Sequence, residues 1–330
     1  MPEKDTRLEK LALELFRRET SLVLTEFLVC VLVTTTSILG NVFVLFALYK
    51  NPRLRKPSNF YIISRTMSDI TFAVAGMTLV CVTSFAGRWI FGPTLCWFQA
   101  SVATMLGTAS WVNMALIAVN RLLKVVYPNM HRKLVSARTI FISIFAAWSF
   151  TGVIPLSFYI FGVKNIFHPG HQLCLFDFGT ASYTLIALIA IFETFLPYKV
   201  IFISYFNVWR FIKSHKLQMS TSRVNVEDIK LDRLLAVIVI SFTICFTPFF
   251  VMILIDTSPE KFSLPRLLYF FATVTVGAAS CINPMIYGIM NKEFRRGFVA
   301  IFRRKRGRIE ILVEERKINV AGGGNKFCPA

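Results

Sequence analysis

The sequence predicts an all-α membrane protein: a seven-transmembrane helix bundle followed by a short amphipathic eighth helix on the inner leaflet. Three observations predict it. The 330-residue chain is 55% hydrophobic and carries 33 Phe, too apolar for a soluble domain of this size. Seven stretches are long and apolar enough to cross a bilayer. The formal charge of +19 is gathered between alternate stretches rather than spread along the chain.

Residues 1–21 form a short tail of mixed charge. Glu9, Glu14 and Glu19 alternate with Lys10, Arg17 and Arg18 around Leu11, Leu13 and Leu15, a pattern that fits an amphipathic helix. The tail lacks the basic start and apolar core of a cleavable signal. The first stretch, Leu22–Tyr49, is therefore expected to act as an uncleaved anchor. The others are Asn59–Phe85, Cys96–Val126, Ile140–Phe161, Ala181–Val208, Leu231–Ile255 and Leu267–Met290. Short loops make neighbours antiparallel in one domain, residues 22–290, with no internal repeat. Residues 291–306 hold the eighth helix and a basic run. In it Phe294, Phe298, Ile301 and Phe302 fall at i, i+4, i+7 and i+8. Residues 307–330 are a cytosolic tail, in which Cys328 is either a free thiol or a lipidation site.

Basic residues follow the odd-numbered stretches: Lys50, Arg53, Arg55 and Lys56, then Lys124, Arg132, Lys133 and Arg138, then Lys213, Lys216 and Arg223, then Arg303 to Arg306. The opposite side has Arg88, Lys164, Lys261 and Arg266. This places the N-terminus outside and the C-terminus in the cytosol of a multi-pass plasma-membrane protein. The basic runs favour anionic lipid rather than nucleic acid as partner. No Asn-x-Ser/Thr sequon occurs.

Cys96 and Cys174 both fall on the outer, oxidising side and are the pair expected to be bridged. Cys30, Cys81, Cys245 and Cys281 lie within spans. Asp69 stands mid-span, where an ionisable group faces the bundle interior. Asn41, Ser110, Asn113, Ser280 and Asn283 lie at compatible depths. Such a set suits a hydrated sodium ion, or only a hydrogen-bond network between helices. Pro197, Pro248 and Pro284 each remove a backbone bond and invite a kink, which is either plain curvature or a point of rearrangement.

In order along the chain stand Gly40-Asn41, Asp69, Cys96 with Asn120-Arg121, Trp148, Pro197 with Tyr205, Phe242-x-x-Cys245-Phe246-x-Pro248, and Asn283-Pro284-x-x-Tyr287. Together they resemble the rhodopsin-like (class A) G protein-coupled receptors across roughly residues 22–302. The resemblance implies a signalling receptor, not an enzyme. An outside ligand would rearrange the helices and release nucleotide from a heterotrimeric G protein, with arrestin and membrane lipids as further partners. Arg121 resembles the arginine that holds the sixth helix closed and then meets the G protein. Phe246 resembles the aromatic toggle, and Tyr205 and Tyr287 the tyrosines that swing inward. Asp69 resembles the sodium-binding aspartate. No other cofactor and no metal besides sodium is implied.

Three positions depart from the family: Asn120, Leu122, which replaces the usual aromatic after Arg121, and Arg65, where the family usually has Leu. Asn120 replaces the usual acid before Arg121, so the arginine lacks its neighbouring ion pair. Asp228, 20 residues before Pro248, either supplies that charge or caps the helix start. Arg65, one turn from Asp69, is placed for an i,i+4 pair that would compete with sodium.

Gly277 fills the position of the retinal-binding lysine, and Ala103 that of the amine-binding aspartate. The ligand is therefore expected to be neither retinal nor an ordinary biogenic amine, but another small molecule, a lipid or a short peptide. Ala103, Glu193, Phe246 and Gly277 are the pocket candidates, and Glu193 either meets the ligand or bonds a neighbouring helix. His168 and His171 suit a metal or a pH response, but solvated loop histidines are the expected state. Asn120-Arg121 also resembles melatonin receptors, although Glu193 replaces their pocket histidine and Pro284 their Ala. A transporter or channel is the alternative, disfavoured by the missing repeat.

Overall fold

A computed structural model of the chain describes residues 2–215, 226–257, 262–290 and 294–295. Helix α1, Pro2–Phe16, is the amphipathic helix expected of the tail. It buries Leu11 and Leu15, and Leu11 packs with Phe262 and Tyr269. The first span is α2, Thr20–Lys50. The second runs from Pro57 to Ala86 as α3 (Phe60–Phe72), a π-helical turn (Ala73–Met77) and α4 (Thr78–Ala86). The third is α5, Gly92–Val126, followed by the short α6, Pro128–Leu134. The fourth is α7, Ala137–Ile160, opened by a capping box between Ser136 and Thr139.

Between the fourth and fifth spans lies an antiparallel hairpin of β1 (Asn165–His168) and β2 (Leu173–Phe176), with Phe167 opposite Cys174. The fifth span comprises α8 (Tyr183–Ile189), a second π-helical turn (Ala190–Phe195) and α9 (Leu196–His215). That turn ends just before Pro197, whose ring nitrogen cannot donate to the helix. Helices α10, Val226–Asp256, and α11, Arg266–Met290, complete the set with Pro248 and Pro284 inside them. Seven helices among the described residues are thus long and apolar enough to cross a membrane. Of the eighth helix only Phe294 and Arg295 are described; the rest of 291–306 and the tail lie outside the described residues.

Helix α5 runs through the middle of the bundle, against α3, α7 and α9, while α11 packs between α10 and α2. Its apolar core joins Trp111, Met114 and Ile117 to Ile201, Phe242 and Tyr287. Gly40 is required where α2 meets α11: a Cβ there would lie 2.9 Å from the Pro284 ring. Lipid-facing residues such as Phe145, Phe202 and Ile289 remain exposed, as a membrane-solvated surface demands.

Candidate functional site

The cavity is built under the hairpin. A disulfide joins Cys96 on α5 to Cys174 on β2, as the sequence predicts, with the Cα atoms 5.2 Å apart. Gln99, one turn along α5, reinforces the join. Its Oε1 accepts from the Cys174 amide at 2.8 Å and its Nε2 donates to the Gly76 carbonyl at 3.1 Å. Below the hairpin a cavity of about 220 Å³ descends toward Asp69. Ala103, Thr108, Trp111, Glu193 and Phe246 line it with Phe249 and Phe250. Gly277 does not line it. Without a side chain it cannot reach inward, and it sits against Met77 and Val33, 2.9 Å from where its Cβ would be.

Trp111 forms the aromatic floor. Its ring lies 4.3 Å from Tyr198, 4.5 Å edge-on from Phe242 and 5.7 Å from Phe246, which stacks on Phe242 at 4.1 Å. Sequence reasoning missed Trp111; its place between Ala103 and Arg121 on α5 was the available signal. Glu193 sits in the π-helical turn beside Thr108. Its Oε1 is buried without a hydrogen-bond partner.

Beneath the cavity the polar residues converge on Asp69. Ser280 donates to its Oδ1 at 3.1 Å and Asn283 to its Oδ2 at 2.8 Å. Asn41 donates to the Ser280 carbonyl at 3.0 Å, tying α2 to α11. Arg65 makes the expected i,i+4 ion pair, Nε to Oδ2 at 3.4 Å, and its guanidinium lies 4.5 Å over the Phe242 ring. Ser110 is not in this network, because its hydroxyl bonds back to the Leu106 carbonyl of its own helix. Asn113 instead joins Ser64, which also accepts from Trp148, so the second, third and fourth spans are pinned together.

At the opposite end Asn120 and Arg121 are both buried. The Asn120 Oδ1 has no hydrogen-bond partner. Tyr287 is buried and stacks on Phe294 at 5.1 Å, while Tyr205 packs against the core. Asp228 lies in the first turn of α10, and its side chain is outside the described residues.

Two features of the disulfide end differ from expectation. His168 and His171 are buried rather than solvated, because they pack against Tyr269 and Thr273 of α11, Phe249 of α10 and Phe262. Gly170 between them lets the turn approach Tyr269, whose ring would lie 2.7 Å from an added Cβ. Burial, and then the neighbouring His168, hold the His171 imidazole well below its usual pKa. The second feature is Glu26, buried in α2 and overlooked in the sequence. It pairs with Arg18 and takes Arg266 Nη1 at 3.0 Å and Nη2 at 2.5 Å, and Gln172 donates to it at 2.7 Å. An acid inside an apolar span was the available signal, the same that marks Asp69.

Comparison with known proteins matches this architecture. Residues 40–287 match the family model described as 7 transmembrane receptor (rhodopsin family). The melatonin receptor type 1B-B of Danio rerio is 24% identical, covering 83% of this chain and 80% of its own. The somatostatin receptor type 5 of Rattus norvegicus is 25% identical, covering 84% and 77%. The 5-hydroxytryptamine receptor 2 of Aplysia californica is 26% identical, covering 82% and 74%. The crystal structure of squid rhodopsin superposes with a TM-score of 0.77 over 86% of each chain at 23% identity, a likeness of fold. With a family model spanning most of its length and seven membrane-crossing helices closed by a Cys96–Cys174 disulfide, the chain belongs to the rhodopsin-like, class A family of G protein-coupled receptors, a family of receptors rather than enzymes.

Proposed function

We propose that the receptor binds a small, largely apolar ligand bearing one hydrogen-bond-donating or cationic group, and passes the signal to a heterotrimeric G protein. The orphaned Glu193 Oε1 in an otherwise aromatic and aliphatic cavity carries this reading. A buried acceptor left unpaired is costly, and a ligand donor removes that cost. The ligand enters at the disulfide end, which faces outside by the charge distribution of the loops. The Arg121 end meets the G protein in the cytosol. Trp111, Phe242 and Phe246 pass ligand contact toward Tyr205 and Tyr287 as a shift between two bundle states.

Asp69 does not suit a resident sodium ion, because the buried Arg65 already supplies its counter-charge. A second cation there would face a guanidinium in a low-dielectric interior. Agonist affinity is accordingly expected to be indifferent to exchange of sodium for a bulky organic cation.

Apolar amines and amides, lipids and short peptides would be screened with G protein nucleotide exchange as the readout. Glu193→Gln is expected to weaken the agonist found by at least tenfold at unchanged surface expression. Unchanged affinity would make Glu193 structural. Uptake of solute by proteoliposomes, without any G protein response, would favour a transporter instead.

A further inference from the structure

The latch between the hairpin and the end of α10 has the make-up of a metal site. One ligand atom each from His168, His171 and Asp256 lies within 4.8 Å of the other two. His168 Nε2 is 3.3 Å from Asp256 Oδ2. Both Nε2 atoms are buried and neither has a hydrogen-bond partner. Two unsatisfied imidazole nitrogens converging on one carboxylate are unfavourable for a latch that only holds helices together.

The surrounding bonds orient these atoms. Thr273 donates to main-chain carbonyls, those of Tyr269 and His171, each at 3.2 Å. With its one proton turned to either carbonyl, its oxygen accepts from His171 Nδ1 at 2.8 Å, the tautomer that leaves the lone pair on His171 Nε2 for a metal. Asp256 Oδ1 is held by the Tyr269 hydroxyl at 2.7 Å and the Phe262 amide at 3.0 Å, so Oδ2 is the free ligand atom. These are the outer partners that fix ligands at metal centres. His168 Nδ1 accepts from the His171 amide at 3.1 Å, so its proton sits on Nε2. Ligation moves that proton to Nδ1, where it faces the His171 amide N–H, so the turn must shift enough to part the two donors; no net proton is released from the ring. A cavity of about 20 Å³ lined by His168 and Asp256, but not by His171, has room for a water as fourth ligand.

We propose that His168, His171 and Asp256 bind a zinc ion that staples the hairpin over the cavity to the end of the sixth span. Two imidazoles and one carboxylate suit zinc, with a water completing the tetrahedron. Ligand atoms at zinc stand ~3.4 Å apart for bonds of ~2.0–2.1 Å, so from a spread of 4.8 Å the trio contracts by up to about 1.4 Å at its widest side. Nothing in the proposed ligand response uses these three residues.

The test uses the full chain, free of any histidine tag, in nanodiscs stripped of metal. One equivalent of cobalt is expected to give the visible absorption bands of a tetrahedral N/O site, displaced by zinc. Zinc is also expected to raise the melting midpoint to saturation at one equivalent, and magnesium to leave it unchanged. His171→Gln and Asp256→Asn should each abolish the cobalt bands, while the double variant His131→Ala, His215→Ala keeps them. Absence of the bands in the unmodified receptor overturns the proposal whatever the variants do. Bands that survive in both folded single variants overturn it as well.

Discussion

Replacing Glu26 by Gln removes one charge and leaves two buried guanidinium groups facing each other. The Glu26, Arg18 and Arg266 side chains are 2%, 2% and 5% exposed, so water cannot compensate. Breaking a buried pair by deleting one partner costs roughly 3–5 kcal/mol, because the other charge stays behind. Two charges stay behind here, which argues for the upper end. A change of 1 kcal/mol moves the melting midpoint of a large domain by about 2–4 °C, so Glu26→Gln should lower it by on the order of 10 °C. Thermal unfolding of purified receptor at a fixed scan rate measures this. Adding Arg266→Gln should recover part of the loss, since one stranded charge is then gone, and the double variant should melt above the sum of the singles. A drop under about 2 °C, or strict additivity, would show that the cluster is solvated and contributes no more than a surface pair.

Cys96→Ser opens a loop that spans 78 residues in sequence, which releases about 4.5 kcal/mol of chain-entropy restraint; surface expression should collapse, and normal expression with wild-type melting would refute it. Arg121→Ala should abolish G protein activation while agonist affinity is preserved, read by nucleotide exchange and by ligand displacement. Asn120 cannot give Arg121 the ion pair within its own helix that an acid would, so ligand-free signalling is expected, lowered by Asn120→Asp and raised by Asp228→Asn. Each 1.4 kcal/mol shifts the two-state ratio about tenfold, and basal activity unchanged in Asp228→Asn would return that residue to a helix cap.

The spans were legible because the hydrophobic signal is local: every expected stretch overlaps an observed helix to within a few residues at most ends. The disulfide was legible because topology puts both thiols at one end. Arg65 with Asp69 was legible because i,i+4 spacing fixes a contact inside one helix. What failed was set by chain segments far apart. His168 and His171 looked solvated from their Pro-Gly neighbourhood, yet Phe249, Phe262 and Tyr269, roughly a hundred residues further on, cover them. Ser110 had the right depth, but its hydroxyl prefers its own helix carbonyl. Glu26 was visible as an acid in an apolar run; its partners, Arg266 above all, were not.

The separation of those partners governs how the chain is made. Glu26 and Arg266 are 240 residues apart. At ~5–20 residues per second, synthesis reaches Arg266 roughly 12–48 s after Glu26. During that interval the first span has to enter the bilayer with a carboxylate near its start, at a cost of about 2.5–3.5 kcal/mol for a lone ionised group deep in a helix. Arg18, only eight residues earlier, is the companion already on hand. Arg18 is therefore the one arginine that can serve the carboxylate during insertion, and both serve it in the finished bundle. An N-terminal truncation that spares all seven membrane-crossing helices still removes Arg18, and its cost falls on yield at the translocon as well as on the finished cluster.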